Sequence, residues 1–368
     1  MKMKKALKIT GLIFLVLLIL ILLFTLVTFI IHRVKTNQEI ALLKEKGYYN
    51  PVSVGEYSLN VAKFGNENGK HTIVSLAGLG MGDYSVAERQ MTADLEKDTL
   101  VVFVDRAGYG LSDDTNHEMT TEYIVEDYRK ALQNAGIKAP YILMPHSIGG
   151  AYANYWTSHY PEEIEAVVFV DGSQLSEDAF DDEPTDTVGS DDYALAFLAK
   201  LGFSRYVIRE YAYLKPDNYS EEEQRLCDAL QLMTMDSIAI ESESCLLAEN
   251  ALAGWNSIVA NDIPKLYICA SWGFQSIEEL RDFLEWFGAL MEKNHFDRNA
   301  HGNTSVDDER LQAELDKVQK LREDVIYPYA EKMGNCKVVL LGGDHSIYEQ
   351  KPQECGEIIR SFVDGLVK

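Results

Sequence analysis

Apolar and polar positions along the chain fall into three regimes. The first is a run from Ile9 to Ile31, ITGLIFLVLLILILLFTLVTFII, without a single charged residue. Its 23 residues would form roughly 34 Å of helix, enough to cross a hydrocarbon layer of ~30 Å. The second regime begins near residue 52, where short β-branched runs alternate with stretches of helical period. Val52–Phe64 reads as an entry hairpin, His71–Ala77, Thr99–Asp105 and Tyr141–Met144 read as buried strands, and Glu165–Val170, Lys265–Ala270 and Lys337–Leu341 read as further strands. Helical patterns lie over Tyr84–Lys97, Thr120–Ala135, Ile148–His159 and Pro352–Leu366. Such alternation predicts an α/β fold, a mostly parallel central sheet with helices on both faces. The third regime is two long intervals of helical period, Gly172–Ile263 and Ser271–Asn335, the latter including a charged stretch over Val306–Lys332. Both are too long for simple crossovers. The first is read as a helical lid insertion over the sheet's carboxyl edge, where α/β sheets form their ligand sites.

Charge divides the chain along the same lines. Residues 1–35 carry six basic residues and no acid, so a total of 34 Lys+Arg against 58 Asp+Glu leaves 28 − 58 = −30 on the rest. An acidic body is a poor partner for a phosphate backbone and argues against nucleic acid. A cleaved secretory signal would have an apolar stretch of only ~7–15 residues ending at small residues. Here the run is longer and is followed by His32-Arg33-Val34-Lys35, the pattern of an uncleaved signal anchor in a lipid bilayer. Four lysines precede the run, so the positive-inside rule predicts a single-pass cell-membrane protein with a cytoplasmic N-terminus and an extracytoplasmic body. The expected division is a tail at 1–8, a transmembrane anchor at 9–31, a juxtamembrane stalk at 32–50, a core in two parts at 51–171 and 264–368, and the insertion at 172–263. Five cysteines, an odd number without CxxC spacing, read as small buried hydrophobes. Asn218-Tyr219-Ser220 and Asn303-Thr304-Ser305 match the glycosylation sequon, which matters only in a eukaryotic secretory route.

The most specific chemical signal is Met144-Pro145-His146-Ser147-Ile148-Gly149-Gly150, after a buried strand and opening a helix. A sharp strand-to-helix turn there would project Ser147 above the sheet, near backbone N–H groups able to stabilise negative charge. A serine hydroxyl needs a base, and the base needs an orienting acid. His345, in Leu341-Gly342-Gly343-Asp344-His345-Ser346 after the last strand, lies at the same edge. His32 abuts the apolar run, His71 starts a strand, His146 sits inside the turn, and His117, His159, His295 and His301 lie in polar or helical stretches.

With Ala77-Gly78-Leu79-Gly80, Asp105-Arg106-Ala107-Gly108-Tyr109-Gly110-Leu111-Ser112, Pro145–Gly150 and Asp344-His345 in that order, the chain resembles the α/β-hydrolase superfamily. Its members read strand, HG-type loop, DRxGxGxS, GHSxGG and a late histidine, and the resemblance covers about residues 52–366. It implies an α/β-hydrolase fold with Ser147 as nucleophile, His345 as general base, and the backbone N–H groups of Leu79 and Ile148 as oxyanion hole. Asp105–Ser112 is then a turn supporting the site. Three positions depart from the pattern. Pro145 replaces the first glycine of the turn, Ala77 replaces the histidine of the HG pair, and the usual acid site reads Ser271-Trp272-Gly273-Phe274-Gln275, with no carboxylate. Asp171, at the end of the strand before the insertion, is the preferred substitute, and Glu278 or Glu279 the alternative.

The expected activity is that of a membrane-anchored serine hydrolase of the carboxylesterase type, acting on an ester, amide or thioester through an acyl-enzyme. An aminopeptidase-like or acyltransferase reaction on the same residues, and a non-catalytic binding module on the same scaffold, are the competing readings. The insertion holds 19 acidic and five basic residues, which would disfavour anionic substrates. No metal or nucleotide cofactor is expected, since Gly108 and Gly110 lie in the DRxGxGxS turn rather than in a GxGxxG at a helix start.

Overall fold

The computed structural model describes residues 2–177, 186–206, 218–235, 237–293 and 307–366. Eight strands form one sheet: β1 (Pro51–Ser53), β2 (Ser58–Gly65), β3 (Thr72–Leu76), β4 (Leu100–Asp105), β5 (Tyr141–Ser147), β6 (Ile164–Gly172), β7 (Lys265–Cys269) and β8 (Cys336–Leu340). Their spatial order is β1-β2-β4-β3-β5-β6-β7-β8. The β1–β2 and β2–β4 pairs are antiparallel, and every later pair is parallel. The principal helices are α1 (Lys2–Glu45), α2 (Thr121–Asn134), α3 (Gly149–His159), α4 (Ser190–Lys200), α5 (Glu221–Thr234), α6 (Ile238–Cys245), α7 (Leu247–Ser257), α8 (Ile277–Lys293), α9 (Asp308–Leu321), α10 (Tyr327–Met333) and α11 (Pro352–Asp364).

The central strands are apolar at nearly every position because both of their faces are covered. Alternate residues of one strand therefore enter different cores. Val74, Leu76, Val102 and Val104 pack with Ile124 and Tyr128 of α2 and Tyr152 and Trp156 of α3. Ile73, Val101 and Phe103 point the other way, to Leu226 and Leu230 of α5 and Ile359 and Val363 of α11. Leu43, near the end of α1, belongs to that second core and is fully buried. The helix that carries the apolar run thus continues unbroken past Ile31 to Glu45 and docks on the body.

Two helical expectations are interrupted. Tyr84–Lys97 is not one helix but single turns at Tyr84–Ala87 and Arg89–Thr92 followed by a tight turn at Leu95–Lys97. Glu88, at the junction, is turned inward to accept from the Ser75 hydroxyl, and burial pushes its carboxyl up to about 8. The charged stretch ending at Lys332 is divided by a widened helical turn over Arg322–Ile326. Pro328 follows two residues later, and proline can supply no N–H to the preceding turn. Five free cysteines occupy buried or half-buried positions. His295, His301 and the sequon Asn303-Thr304-Ser305 lie outside the described residues.

Candidate active site

β5 runs into α3 with one residue, Ile148, between them. To make that reversal Ser147 takes φ 50°, the left-handed region that non-glycine residues rarely adopt. Small residues make the bend fit. A Cβ on Gly149 would lie 2.5 Å from the Leu76 carbonyl oxygen, and one on Gly150 would lie 2.9 Å from the Ser173 nitrogen. From below, Ser173 donates to the Ser147 carbonyl through its N–H at 2.8 Å and its hydroxyl at 2.7 Å. Pro145 sits within β5 opposite Leu76 of β3.

The loop after β3 closes on this turn. A Cβ on Gly78 would stand 3.0 Å from the Ser147 Cβ and 2.8 Å from His146 Nδ1, so glycine is what admits the close approach. Leu79, whose N–H was the expected oxyanion donor, follows immediately, and Ile148 follows Ser147. Arg106 fixes the loop from behind, donating to the carbonyls of Ala77 at 2.6 Å and Gly78 at 2.9 Å. Its guanidinium is in turn held by Glu243 of α6, at 3.0 and 3.1 Å, with both side chains buried. Tyr109 and Tyr152 donate to the same carboxylate at 2.8 and 2.6 Å. Asp105, the first residue of that motif, accepts from the Leu111 N–H at 3.1 Å and the Asn60 amide at 3.0 Å, and burial raises its carboxyl to about 7. The Asp105–Ser112 turn therefore ties the insertion to the loop beside Ser147.

Asp171 lies at the end of β6, fully buried, with φ 42°. Its Oδ1 accepts the backbone N–H groups of Ala270 at 2.7 Å and Ser271 at 3.2 Å. Its Oδ2 accepts the Ser271 hydroxyl at 2.5 Å and His345 Nδ1 at 2.7 Å. The residue that stands where a carboxylate was missing, Ser271, is thus a donor to the carboxylate one strand away. Glu279 accepts the Gln275 N–H at 2.7 Å at the start of α8. Neither it nor Glu278 bonds His345 among the described residues.

His345 is 44% exposed at its side chain while its acid partner is wholly enclosed. Burial lowers its pKa, but the hydrogen bond and charge of Asp171, with Asp344 behind, outweigh that and leave it above the usual value. His146 supports it from the turn. The two rings lie 4.6 Å apart, and His146 Nε2 is 3.1 Å from the His345 carbonyl oxygen. Since a carbonyl only accepts, Nε2 carries the proton and Nδ1 is bare. Nδ1 is buried without a partner among the described residues, and burial, then the charge of His345, hold the ring well below its ordinary pKa.

The structure therefore brings Asp171 and His345 into direct contact and stands His345 against the residue preceding Ser147. Reading the residues in order did not anticipate Ser271, Glu243 or the part His146 plays.

Residues 72–216 match a family model described as alpha/beta hydrolase fold. The chain is 30% identical over 272 residues to YbdG, an uncharacterized protein of Bacillus subtilis, covering 73% of this chain and 82% of that one. Its fold is similar to that of a probable hydrolytic enzyme from Pseudomonas aeruginosa, with TM-score 0.52 at 16% identity over 87% of this chain and 94% of that one. It is also similar to the haloalkane dehalogenase DbeA from Bradyrhizobium elkani, with TM-score 0.51 at 15% identity over 86% and 97% of the two chains. A turn that bends at Ser147, a late histidine beside it and an eight-stranded, mostly parallel sheet beneath them agree with these matches: the chain belongs to the alpha/beta hydrolase family.

Proposed function

We propose that this protein is a membrane-anchored serine hydrolase that cleaves a carboxylic ester through an acyl-enzyme. The observation that carries the reading is the 2.7 Å contact between His345 Nδ1 and the enclosed Asp171 carboxylate, next to a serine held in a left-handed turn. Asp171 accepts from Nδ1, so His345 presents Nε2 as the basic nitrogen. That nitrogen takes the Ser147 proton as Oγ attacks the ester carbonyl, and returns it to the departing alkoxide. The negative oxygen formed in the attack is stabilised by the N–H groups of Leu79 and Ile148. Water then enters and attacks the acyl carbon as His345 removes its proton; the acyl–Oγ bond breaks, His345 returns the proton to Ser147 Oγ, and the acid product leaves. Helix α1 holds the enzyme in the cell membrane, with the body on the extracytoplasmic side.

The test is active-site labelling of the full-length protein in detergent with a fluorophosphonate probe, alongside turnover of short-chain p-nitrophenyl esters. Wild type is expected to be labelled and active, and Ser147→Ala to lose both. Equal labelling of the variant would remove Ser147 from the reaction.

A further inference from the structure

Beyond the apolar run, large hydrophobic side chains exposed on the described residues are few, and most are scattered singly. The exception is the insertion, where Tyr193, Leu195, Phe197, Leu198 and Tyr206 are all exposed within one short stretch. Along α4 only Ala196 is buried, so this apolar helix rests almost nothing on the body. A helix of this kind facing water would be a liability, and an exposed apolar patch of this kind ordinarily marks an interaction surface.

What covers it is indicated by where the segment is fastened. Phe203 and Tyr206 pack against Phe24, with ring centroids 6.1 and 5.9 Å apart. The Tyr206 hydroxyl is 3.0 Å from that of Thr28, whose side chain is nearly enclosed. Phe24 and Thr28 lie inside the apolar run, Phe24 seven residues or about 10 Å of helix inward from Ile31. A hydroxyl in that region has no water to bond to and needs a partner, and the insertion supplies one. The approach is close: Gly202 has φ 91°, and a Cβ there would fall 2.4 Å from the His32 Cβ. Polarity changes in step along the two surfaces. Beyond Ile31 the contacts become ionic and polar, Arg205 donating to Glu39 at 2.7 and 2.8 Å and to the Thr36 hydroxyl at 2.8 Å. Aromatic contacts at the level of Phe24 and charged ones at the level of Glu39 follow the polarity profile of one membrane leaflet.

We infer that the segment from Tyr193 to Tyr206 is a second membrane-contacting element, lying in the same leaflet as the carboxyl end of the apolar run with its exposed side chains in the acyl region. The occupant of the patch is the lipid bilayer. This rests on the reading of α1 as a membrane anchor and is independent of the chemistry at Ser147. It places part of the insertion in contact with lipid.

The experiment uses full-length protein reconstituted in phosphatidylcholine vesicles that carry a photoactivatable diazirine on the acyl chain, followed by mass-spectrometric mapping of labelled peptides. Label is expected in α1 and in peptides covering Tyr193–Tyr206. It is expected to be absent from peptides carrying Leu252, Val259 and Tyr327, whose exposed hydrophobics stand apart from α1. Phe197→Asp, at a side chain 63% exposed and so without a core to lose, should abolish or sharply reduce label in its own peptide and leave α1 labelled. Label in α1 with none in Tyr193–Tyr206 would overturn this inference and spare the anchor. Label in neither would overturn both.

Discussion

Four donors converge on the Asp171 carboxylate, and this determines what its replacement does. In Asp171→Asn the Oδ1 acceptor for Ala270 and Ser271 is retained, so the fold should persist. The oxygen facing His345 Nδ1 becomes, in one amide orientation, a donor against a donor, and the tautomer with a basic Nε2 is no longer favoured. Ester turnover should fall by about 10⁴-fold, measured as kcat with the protein still folded by circular dichroism. The pH profile carries a sign. The proposed base, His345, would act only when neutral, and Asp171 raises its pKa, so the acid limb of kcat/KM in wild type should lie above the ordinary histidine value of ~6.5. Without the carboxylate charge only burial remains as a strong influence, and the residual limb should move to lower pH. Gly78→Ala is the steric counterpart. Its methyl would press on His146 Nδ1 and Ser147 Cβ, costing about 1–3 kcal/mol and slowing fluorophosphonate labelling. At this scale the turn at Ser147 and the position of His345 were legible, because a strand-to-helix turn motif and a histidine after the last strand have fixed places in an α/β sheet. For the acid, Asp171 was preferred and Glu278 or Glu279 kept as the alternative. Spacing places all three near one edge, and the contact between His345 and Asp171 depends on two strand ends packing side by side.

At the scale of elements, continuous apolar runs located the central strands, because a parallel strand buried on both faces has no other composition available. Helix continuity was harder to read. Tyr84–Lys97 has a helical period yet is broken where Glu88 turns inward to Ser75, a long-range contact with no local signature. The same holds for the join between the insertion and the core. Glu243 of α6 and Arg106 after β4 meet across 137 residues, with two tyrosines closing the carboxylate's remaining valences. Removing the acid of such an enclosed pair leaves the guanidinium buried without a counter-charge. Glu243→Ala should therefore destabilise the protein by about 3–5 kcal/mol, read as a lowered melting midpoint in detergent. Because Arg106 also braces the Ala77 and Gly78 carbonyls, esterase activity should fall at temperatures where the variant is still folded. A variant as stable and as active as wild type would show that the pair is incidental to the loop.

The whole molecule is an acidic body on a basic stem, and the proposed membrane placement rests on both parts. The apolar run was legible from composition alone, whereas its continuation to Glu45 and the clasp by Gly202 and Arg205 were not, since they depend on the insertion folding back over a distant segment. With Leu43 in the core and Arg205 paired to Glu39, the body is held against the helix rather than swinging on a free stalk. Alkaline extraction should therefore leave the full-length protein with the membrane pellet, and release into the supernatant would contradict the anchor. The proposed orientation rests on Lys2, Lys4, Lys5 and Lys8, which the positive-inside rule would keep on the cytoplasmic side, while the body carries the acidic excess. In spheroplasts of a bacterial host, protease added from outside should degrade the body without lysis and spare a cytoplasmic marker. Degradation only after lysis would invert the topology and place the Ser147 site in the cytoplasm, where its esters would have to be those of the inner leaflet or the cell interior.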